Sequence, residues 1–205
     1  MERKIYLFGF LVSFLCFACT KSDMEYENDY EKSYKAWRSF KKSSNNSYRY
    51  VVSGATWAGA AWETAITVSR GEVTGRNFSY TVFGDIPMPA VGWSLETAQS
   101  ILDSLSKRYQ GDIGHLPSAD SLLKVLTWRE QKPYLNDPKH RGGAPIWTLD
   151  QVYEEAKNNW LKKRDNADTF FKVDNKGMIS SCGYWEHGCM DDCFRGISIK
   201  KIEAL

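Results

Sequence analysis

Residues 47–82 read SYRYVVSGATWAGAAWETAITVSRGEVTGRNFSYTV, and this stretch decides the fold class. Apolar and polar residues alternate over three segments, 47–53, 62–68 and 73–82. Alternation with a period of two is typical of strands that bury one face. Gly71 lies in the short connection before the third segment and permits the positive φ of a tight turn. The stretch therefore predicts a three-stranded antiparallel meander.

A helical pattern precedes this meander, and the same order of elements returns near the C-terminus. Over residues 24–42, aromatic residues recur at spacings of three and four, which predicts an amphipathic helix. Thr148 and Gln151 fit a capping box at the start of a later helix, and three strand patterns follow it between residues 169 and 202. We therefore predict an α+β fold with helices packed on an antiparallel sheet, in which a helix followed by three strands occurs twice.

The segment between these halves has weaker patterns. Residues 95–109 have an apolar stripe at helical spacing behind Ser94, a good N-cap, and a short helix is predicted over 118–129. Residues 131–145 contain three prolines and two glycines, which predicts a loop.

The first residues predict an export signal. A net positive start is followed by fourteen uncharged, mostly apolar residues at 5–18. A helix of that length spans about 21 Å, less than the roughly 30 Å hydrocarbon core of a bilayer, so the run is typical of a signal peptide. Phe17-Ala18-Cys19 resembles the lipobox of bacterial lipoproteins, in which the cysteine is acylated and becomes the mature N-terminus. Cys19 is the predicted lipid attachment site, and an ordinary secretory signal peptide is the alternative.

The leader also predicts a location. We expect an outer-membrane lipoprotein of the bacterial cell envelope, either periplasmic or exposed at the cell surface. Lys21 followed by acidic residues resembles the signal that directs some Bacteroidetes lipoproteins to the surface. The predicted divisions are a signal peptide at 1–18, a lipidated N-terminus and first helix at 19–46, and an α+β domain at 47–205 with a less regular part at 110–147.

Composition bears on the partners that this chain could bind. The formal net charge is +2, and the short Lys and Arg clusters do not form the basic patch that nucleic-acid binding requires. Aromatic residues make up 14% of the chain and include eight Trp, enough for a substantial core. We expect contact with a membrane through the lipid, a protein or glycan partner, and no nucleic acid.

Three segments in order resemble the bacterial lipoprotein family called DUF6174. They are Tyr48-Arg49-Tyr50 with the segment Ile66-Thr67-Val68-Ser69-Arg70-Gly71-Glu72-Val73, the helix start at 148–153, and residues 173–199 from Val173-Asp174-Asn175-Lys176-Gly177 through Asp191-Asp192 to Gly196-Ile197-Ser198-Ile199. The resemblance implies helices on an antiparallel sheet, similar to PepSY or β-lactamase-inhibitor-protein modules. It adds little about chemistry, because the family has no assigned function.

The cysteines of the C-terminal region allow more than one chemistry. Cys182, His187, Cys189 and Cys193 follow the spacing C-x4-H-x-C-x3-C. Three thiolates and an imidazole could hold zinc, but the spacing matches no usual zinc pattern. One disulfide between two of the three cysteines is the favoured interpretation for an exported protein, and three free thiols are the remaining one. Asp191-Asp192 is interpreted as a pair of solvated turn acids rather than calcium ligands. We expect no metal and no cofactor.

The sequence lacks the common catalytic motifs. The sequence has no nucleophile elbow, no zinc-protease motif and no phosphate-binding loop. His115 and His140 lie in polar, loop-like sequence, where we expect exposed side chains. We therefore expect a protein that is not an enzyme.

The aromatic residues of two predicted loops are the best functional candidates. Trp57 lies among small residues, and Tyr184 and Trp185 lie beside the cysteines. Exposed Trp and Tyr are favoured as anchors of binding sites, although they can also cover the edge of a core. The predicted function is a lipid-anchored binding module outside the cytoplasm. The alternatives are an inhibitor-like module that acts on a secreted enzyme and a metal-binding protein that uses the loop from Cys182 to Cys193.

Overall fold

The computed structural model describes residues 23–108 and 116–205, and it confirms the α+β fold. The signal peptide, the lipid site Cys19 and His115 lie outside the described residues. No helix in the described parts of the chain is long and apolar enough to cross a membrane. The elements in chain order are α1 (Glu27–Ser43), β1 (Tyr48–Ala55), β2 (Ala61–Ser69), β3 (Glu72–Phe83), β4 (Ile86–Pro87), α2 (Leu95–Arg108), α3 (Ala119–Leu126), β5 (Thr127–Gln131), α4 (Leu149–Glu155), β6 (Ala167–Asp174), β7 (Met178–Glu186) and β8 (Arg195–Ala204).

The eight strands form one antiparallel sheet. Its order is β4-β3-β2-β1-β8-β7-β6, and β5 pairs with β3 on the same side as β4. β1 pairs with β8, so the two three-stranded units of the sequence, β1–β3 and β6–β8, join edge to edge. The predicted repetition of a helix followed by three strands is therefore confirmed.

Helices α1 and α4 cover one face of the joined sheet. Paired residues of adjacent strands share a face, so Tyr48 and Tyr50 of β1 lie on the same side as their partners in β2. The buried Trp37 of α1 meets Tyr48 edge to face, with ring centroids 5.1 Å apart. The backbone N–H of Leu149 donates to the Tyr48 hydroxyl over 2.9 Å, which ties the start of α4 to β1. The hydroxyls of the other buried tyrosines, Tyr30, Tyr50 and Tyr153, also have polar partners, as burial requires.

Helix α4 begins at a capping box and ends where the chain continues into a π-helical segment. The predicted capping box forms, because the Thr148 side chain accepts from the Gln151 N–H and the Gln151 side chain accepts from the Thr148 N–H. Beyond α4 the chain makes one π-helical segment, Ala156–Trp160, whose end Arg164 caps by donating to the carbonyl oxygen of Asn159. This segment places Asn159 and Trp160 beside the sheet.

A smaller core lies between α2 and α3, beside the outer strands. Ala98, Ile101 and Leu102 of α2 pack with Leu122 and Leu126 of α3. The predicted helix over 118–129 is wrong at its C-terminal end. The helix ends at Leu126, and the next five residues form β5, because they can pair with the free edge of β3. That pairing joins segments about fifty residues apart, so a local pattern could not reveal it.

Candidate ligand-binding groove

An open groove of about 990 Å³ lies where the helices leave part of the sheet uncovered. Ligand sites of proteins are typically concave, with a largely apolar lining and a few polar groups. Its aromatic lining consists of Trp62, Trp147, Trp160, Tyr184, Trp185 and Phe194. Its charged lining consists of Glu186, Asp191, Asp192 and Arg195.

The sheet, which contributes Trp62 of β2 and Tyr184 and Trp185 of β7, and three segments beside it build this groove. The C-terminal end of β1 and the first residues of β8 contribute the sheet surface, with Gly54 and Ile197 among the lining residues. The loop 142–147 and the π-helical segment form one wall, and the β7–β8 loop forms the other end. Gly54 pairs with Trp62, whose indole lies over the glycine where a Cβ would stand.

The loop that forms one wall is held by a buried ion pair. The Arg76 guanidinium donates Nε–H to Glu130 Oε2 over 2.9 Å and Nη2–H to Oε1 over 3.0 Å. The same carboxylate accepts from the backbone N–H groups of Asn136 and Asp137, both over 3.0 Å. Arg76 also donates Nη1–H to the carbonyl oxygen of Ala144 over 3.0 Å. One ion pair thus fixes the loop near its start and near the groove.

A second set of contacts seats the loop on the sheet. The Ala144 N–H donates to the buried Thr64 hydroxyl over 3.1 Å. Gly143 lies so close to Trp128 that a Cβ there would stand 2.6 Å from the indole. The groove wall is therefore preformed, because its backbone is hydrogen-bonded to the sheet and Gly143 fits closely against Trp128.

His140 belongs to this network, so the prediction that it is exposed is wrong. Its Nδ1 lies 3.0 Å from Glu130 Oε1, and its ring stacks on Trp128 with centroids 4.7 Å apart. Three-quarters of its side-chain surface is covered. The polar sequence around His140 correctly indicated a loop. Because this loop packs over the buried Glu130 carboxylate, the His140 side chain is largely covered.

The Glu130 carboxylate should make the free energy of unfolding depend on pH under acidic conditions. Burial alone would raise its pKa, but hydrogen bonds from Arg76, the Asn136 N–H and His140 lower the pKa to about 2. A carboxyl whose folded pKa lies below the unfolded value of about 4.3 stabilises the fold above that pH and loses this contribution as the pH falls towards 2. We expect the free energy of unfolding, measured in urea, to fall through this range. In Glu130→Gln, which cannot titrate, the acid-dependent part should shrink; an unchanged pH profile would contradict the assignment.

The β7–β8 loop is closed by a disulfide between Cys189 and Cys193. The prediction of one disulfide among the three cysteines is confirmed, and the prediction of three free thiols is wrong. Cys182 is the remaining thiol and is fully buried in the main core. Within the described residues, no group of three or more His, Cys, Asp or Glu side chains is placed to hold a metal.

The Cys182 thiol should not react with alkylating reagents while the protein is folded. Burial raises the pKa of its thiol, and the thiolate is the reactive form. We expect intact-mass analysis to show no alkylation of Cys182 by iodoacetamide in the native state and complete alkylation in denaturant. Mild reduction supplies the control, because Cys189 and Cys193 lie at the surface and should then react without unfolding. Native labelling of Cys182 as fast as this pair would be inconsistent with its burial.

The three predicted binding aromatics occupy different places. Tyr184 and Trp185 line the groove, and the Arg164 guanidinium stacks on Tyr184 at 3.8 Å from the ring centroid. Trp57 lies outside the groove lining, at the tip of the β1–β2 loop, with 76% of its surface exposed. Its backbone N–H donates to Asp192 Oδ1 over 3.3 Å, so the two loops are adjacent.

Sequence reasoning missed the other four aromatic residues of the lining, Trp62, Trp147, Trp160 and Phe194. Trp62 lies in a predicted strand, Trp147 in the less regular part 110–147 and Trp160 in the helical pattern after Thr148. A signal for Trp62 existed, since a tryptophan opposite a glycine on a paired strand often covers that glycine. Trp147 had no such signal, because the hydrogen bond that its carbonyl oxygen accepts from the Tyr50 hydroxyl joins residues 97 positions apart.

His187 and Asp192 make polar contacts with neighbouring segments at the surface. His187 Nε2 lies 3.2 Å from Asp168 Oδ1, and both side chains are largely exposed. The Asp192 carboxylate accepts a hydrogen bond from the Trp57 N–H of the β1–β2 loop. These contacts link loops at the surface.

Compared with models of protein families, with characterised proteins and with solved structures, the chain has no significant match. Membership of the DUF6174-type lipoproteins accordingly stays a prediction. The functional interpretation therefore rests on the geometry and chemistry of the groove.

Proposed function

We propose that this protein is a lipid-anchored binding module outside the cytoplasm, without enzymatic activity, whose ligand occupies the aromatic groove. The ligand is a protein segment or a glycan. One observation carries the proposal: six aromatic side chains from β2, β7, the loop 142–147, the π-helical segment and the β7–β8 loop line one open groove, while polar and charged groups surround them. Aromatic anchors with a polar rim are the usual composition of a specific binding site.

The groove is also preorganised. The disulfide fixes one end and the Arg76–Glu130 pair fixes the opposite wall. A site that is already ordered loses less conformational entropy when a ligand binds. The charged residues at the disulfide end comprise three carboxylates and one guanidinium, which disfavours a polyanionic ligand.

An inhibitor-like function is the second candidate. Met190 is 91% exposed at the tip of the disulfide-closed loop, which is a stiff, protruding shape suited to an enzyme's active site. A pull-down from outer-membrane and culture fractions separates the two functions. A stoichiometric secreted enzyme that loses activity on binding would support inhibition, whereas a glycan or a non-enzymatic protein would support the binding module.

The lipid anchor has its own test. We expect the intact mass of the native protein to correspond to residues 19–205 with acyl groups on Cys19. The Cys19→Ser variant should lose the lipid and leave the membrane fraction. A native mass that corresponds to cleavage elsewhere, without lipid, would replace the lipoprotein with a secreted protein.

Trp185→Ala should weaken ligand binding. Trp185 is 46% exposed, packs on Phe170 with ring centroids 4.3 Å apart and lines the groove, so its removal deletes contact surface with little loss of core. We expect at least about a tenfold loss of affinity, equivalent to about 1.4 kcal/mol, for the ligand recovered in the pull-down.

Tyr134→Ala is the matched control, because Tyr134 is an aromatic residue, 81% exposed, that does not line the groove. Titration calorimetry with the recovered ligand would compare the two variants. Equal affinities in wild type and Trp185→Ala, with the fold intact, would exclude this end of the groove from the binding site.

A further inference from the structure

Several loops meet at one end of the sheet, which we call the anchor end. It comprises residues 23–26, the β1–β2 loop 56–60 and the β7–β8 loop 187–194. Because the strands are antiparallel, β1 and β7 finish where β2, β6 and β8 begin, so these segments share one end. The His187 N–H donates to the Asn166 carbonyl oxygen over 2.7 Å, which places the start of β6 there as well.

The described chain also begins at this end. The Asp23 carbonyl oxygen accepts from the Lys163 N–H over 2.8 Å, and the Glu25 N–H donates to the Leu161 carbonyl oxygen over 2.7 Å. The Asp23 carboxylate pairs with Lys162 over 2.6 Å. These contacts hold the first described residues against the segment that leads into β6.

Large apolar side chains protrude from the same end. Trp57 and Met190 occupy the tips of two neighbouring loops and are among the most exposed large hydrophobic residues described. The hydrogen bond between the Trp57 N–H and Asp192 keeps these tips together. Tryptophan is favoured where an apolar phase meets water, because its ring is apolar and its N–H is polar.

The length of the preceding chain limits where this end can lie. Asp23 follows Cys19 by four positions, and a fully extended chain over four residues reaches at most about 14 Å. A lipid on Cys19 would therefore hold the anchor end at the membrane surface. We infer that Trp57 and Met190 insert into the lipid interface, an inference that rests on the proposed lipid anchor.

Charge does not favour an electrostatic mode of docking. Asp191 and Asp192 lie beside Met190, and the cation of Lys162 is already paired with Asp23. Apolar insertion of this kind is insensitive to salt, in contrast to the attraction of a basic patch to anionic lipids. The disulfide end of the groove belongs to the same end of the molecule, so a bound ligand would lie close to the membrane.

The experiment uses the full-length protein, processed in cells and reconstituted in phosphatidylcholine vesicles whose acyl chains carry bromine. Bromine quenches tryptophan emission on contact. We expect part of the emission to be quenched, at low and at high salt, and this quenched part to fall in Trp57→Ala. Tyr134→Ala is the control, because Tyr134 is exposed beyond β5, at the opposite end of the sheet, and its loss should change nothing.

The outcomes separate this inference from the proposed function. Lipidated protein without bromine quenching, or with equal quenching in wild type and Trp57→Ala, would overturn the docking of the anchor end while leaving the lipid anchor in place. Quenching that disappears at high salt would assign the contact to charge instead. A native protein that carries no lipid and does not bind the vesicles would overturn both.

Discussion

Glu130→Ala is expected to lower the free energy of unfolding by about 3–5 kcal/mol, the usual cost of breaking a buried ion pair on one side. The substitution leaves the Arg76 guanidinium buried with only the Ala144 carbonyl oxygen as a hydrogen-bond partner. It also removes the acceptor of two backbone N–H groups, those of Asn136 and Asp137. Urea unfolding followed by tryptophan fluorescence would measure the loss.

The matched control removes both charges. The double variant Arg76→Met, Glu130→Met keeps the side-chain volume and leaves no buried charge without a partner, so it should recover much of the lost stability. If Glu130→Ala and the double variant were equally destabilised, the cost would come from the loop contacts rather than from the orphaned guanidinium. If neither differed from wild type, the ion pair would not be buried in solution.

The same substitution should also disorder the groove wall. Ala144 and Gly143 line the groove and are held through Arg76, Thr64 and Trp128. Hydrogen exchange of the loop amides should therefore accelerate in Glu130→Ala more than exchange in α1. A structural ion pair at some distance from the groove thus becomes a determinant of ligand binding.

The parts of the fold that the sequence predicted are those with local signals. The alternation in β1–β3, the capping box of Thr148 and Gln151, and the aromatic stripe of α1 each involve neighbours within a few residues. Their physical causes, strand pleat, helix capping and helix periodicity, act over the same short range. These elements were placed within a few residues of their observed bounds.

The candidate groove depends on contacts between residues that are far apart in the sequence. Arg76 and Glu130 are separated by 54 residues, and Thr64 and Ala144 by 80. Nothing in the polar, proline-rich segment 131–145 indicates that its backbone closes over a buried carboxylate. The cysteines are an intermediate case, because the sequence limited the pairing to three residues and only the β7–β8 hairpin selected Cys189 and Cys193.

Gly196→Ala should be among the most damaging single-methyl substitutions in this chain. Gly196 of β8 pairs directly with Gly183 of β7, at the open end of the groove. A Cβ at Gly196 would overlap the carbonyl oxygen of Cys182 and the Cα of Gly183, which are backbone atoms that cannot rotate away. The Phe194 ring lies over both glycines and fills the remaining space. We expect a loss of about 3 kcal/mol, at the upper end of the cost of overpacking.

Gly75→Ala makes the same chemical change with a different expected result. Gly75 is a buried strand glycine of β3, but a Cβ there would meet its nearest neighbours at 3.6 Å or more, an ordinary contact distance. Because alanine loses less backbone entropy than glycine on folding, this variant should be neutral or more stable by up to about 1 kcal/mol. Thermal and urea unfolding of the two variants would compare them directly.

The comparison also tests how the groove end is built. Because β7 and β8 approach closely at Gly196, Gly196→Ala should separate the strands there, displace Phe194 and alter Tyr184 and Arg195, which pair one position further along. Ligand affinity should then fall together with stability, whereas Gly75→Ala should leave it unchanged. Equal stabilities for the two variants would mean that the strands are further apart than the structure has them, and that the aromatic end of the groove is wider and less fixed than a preorganised site requires.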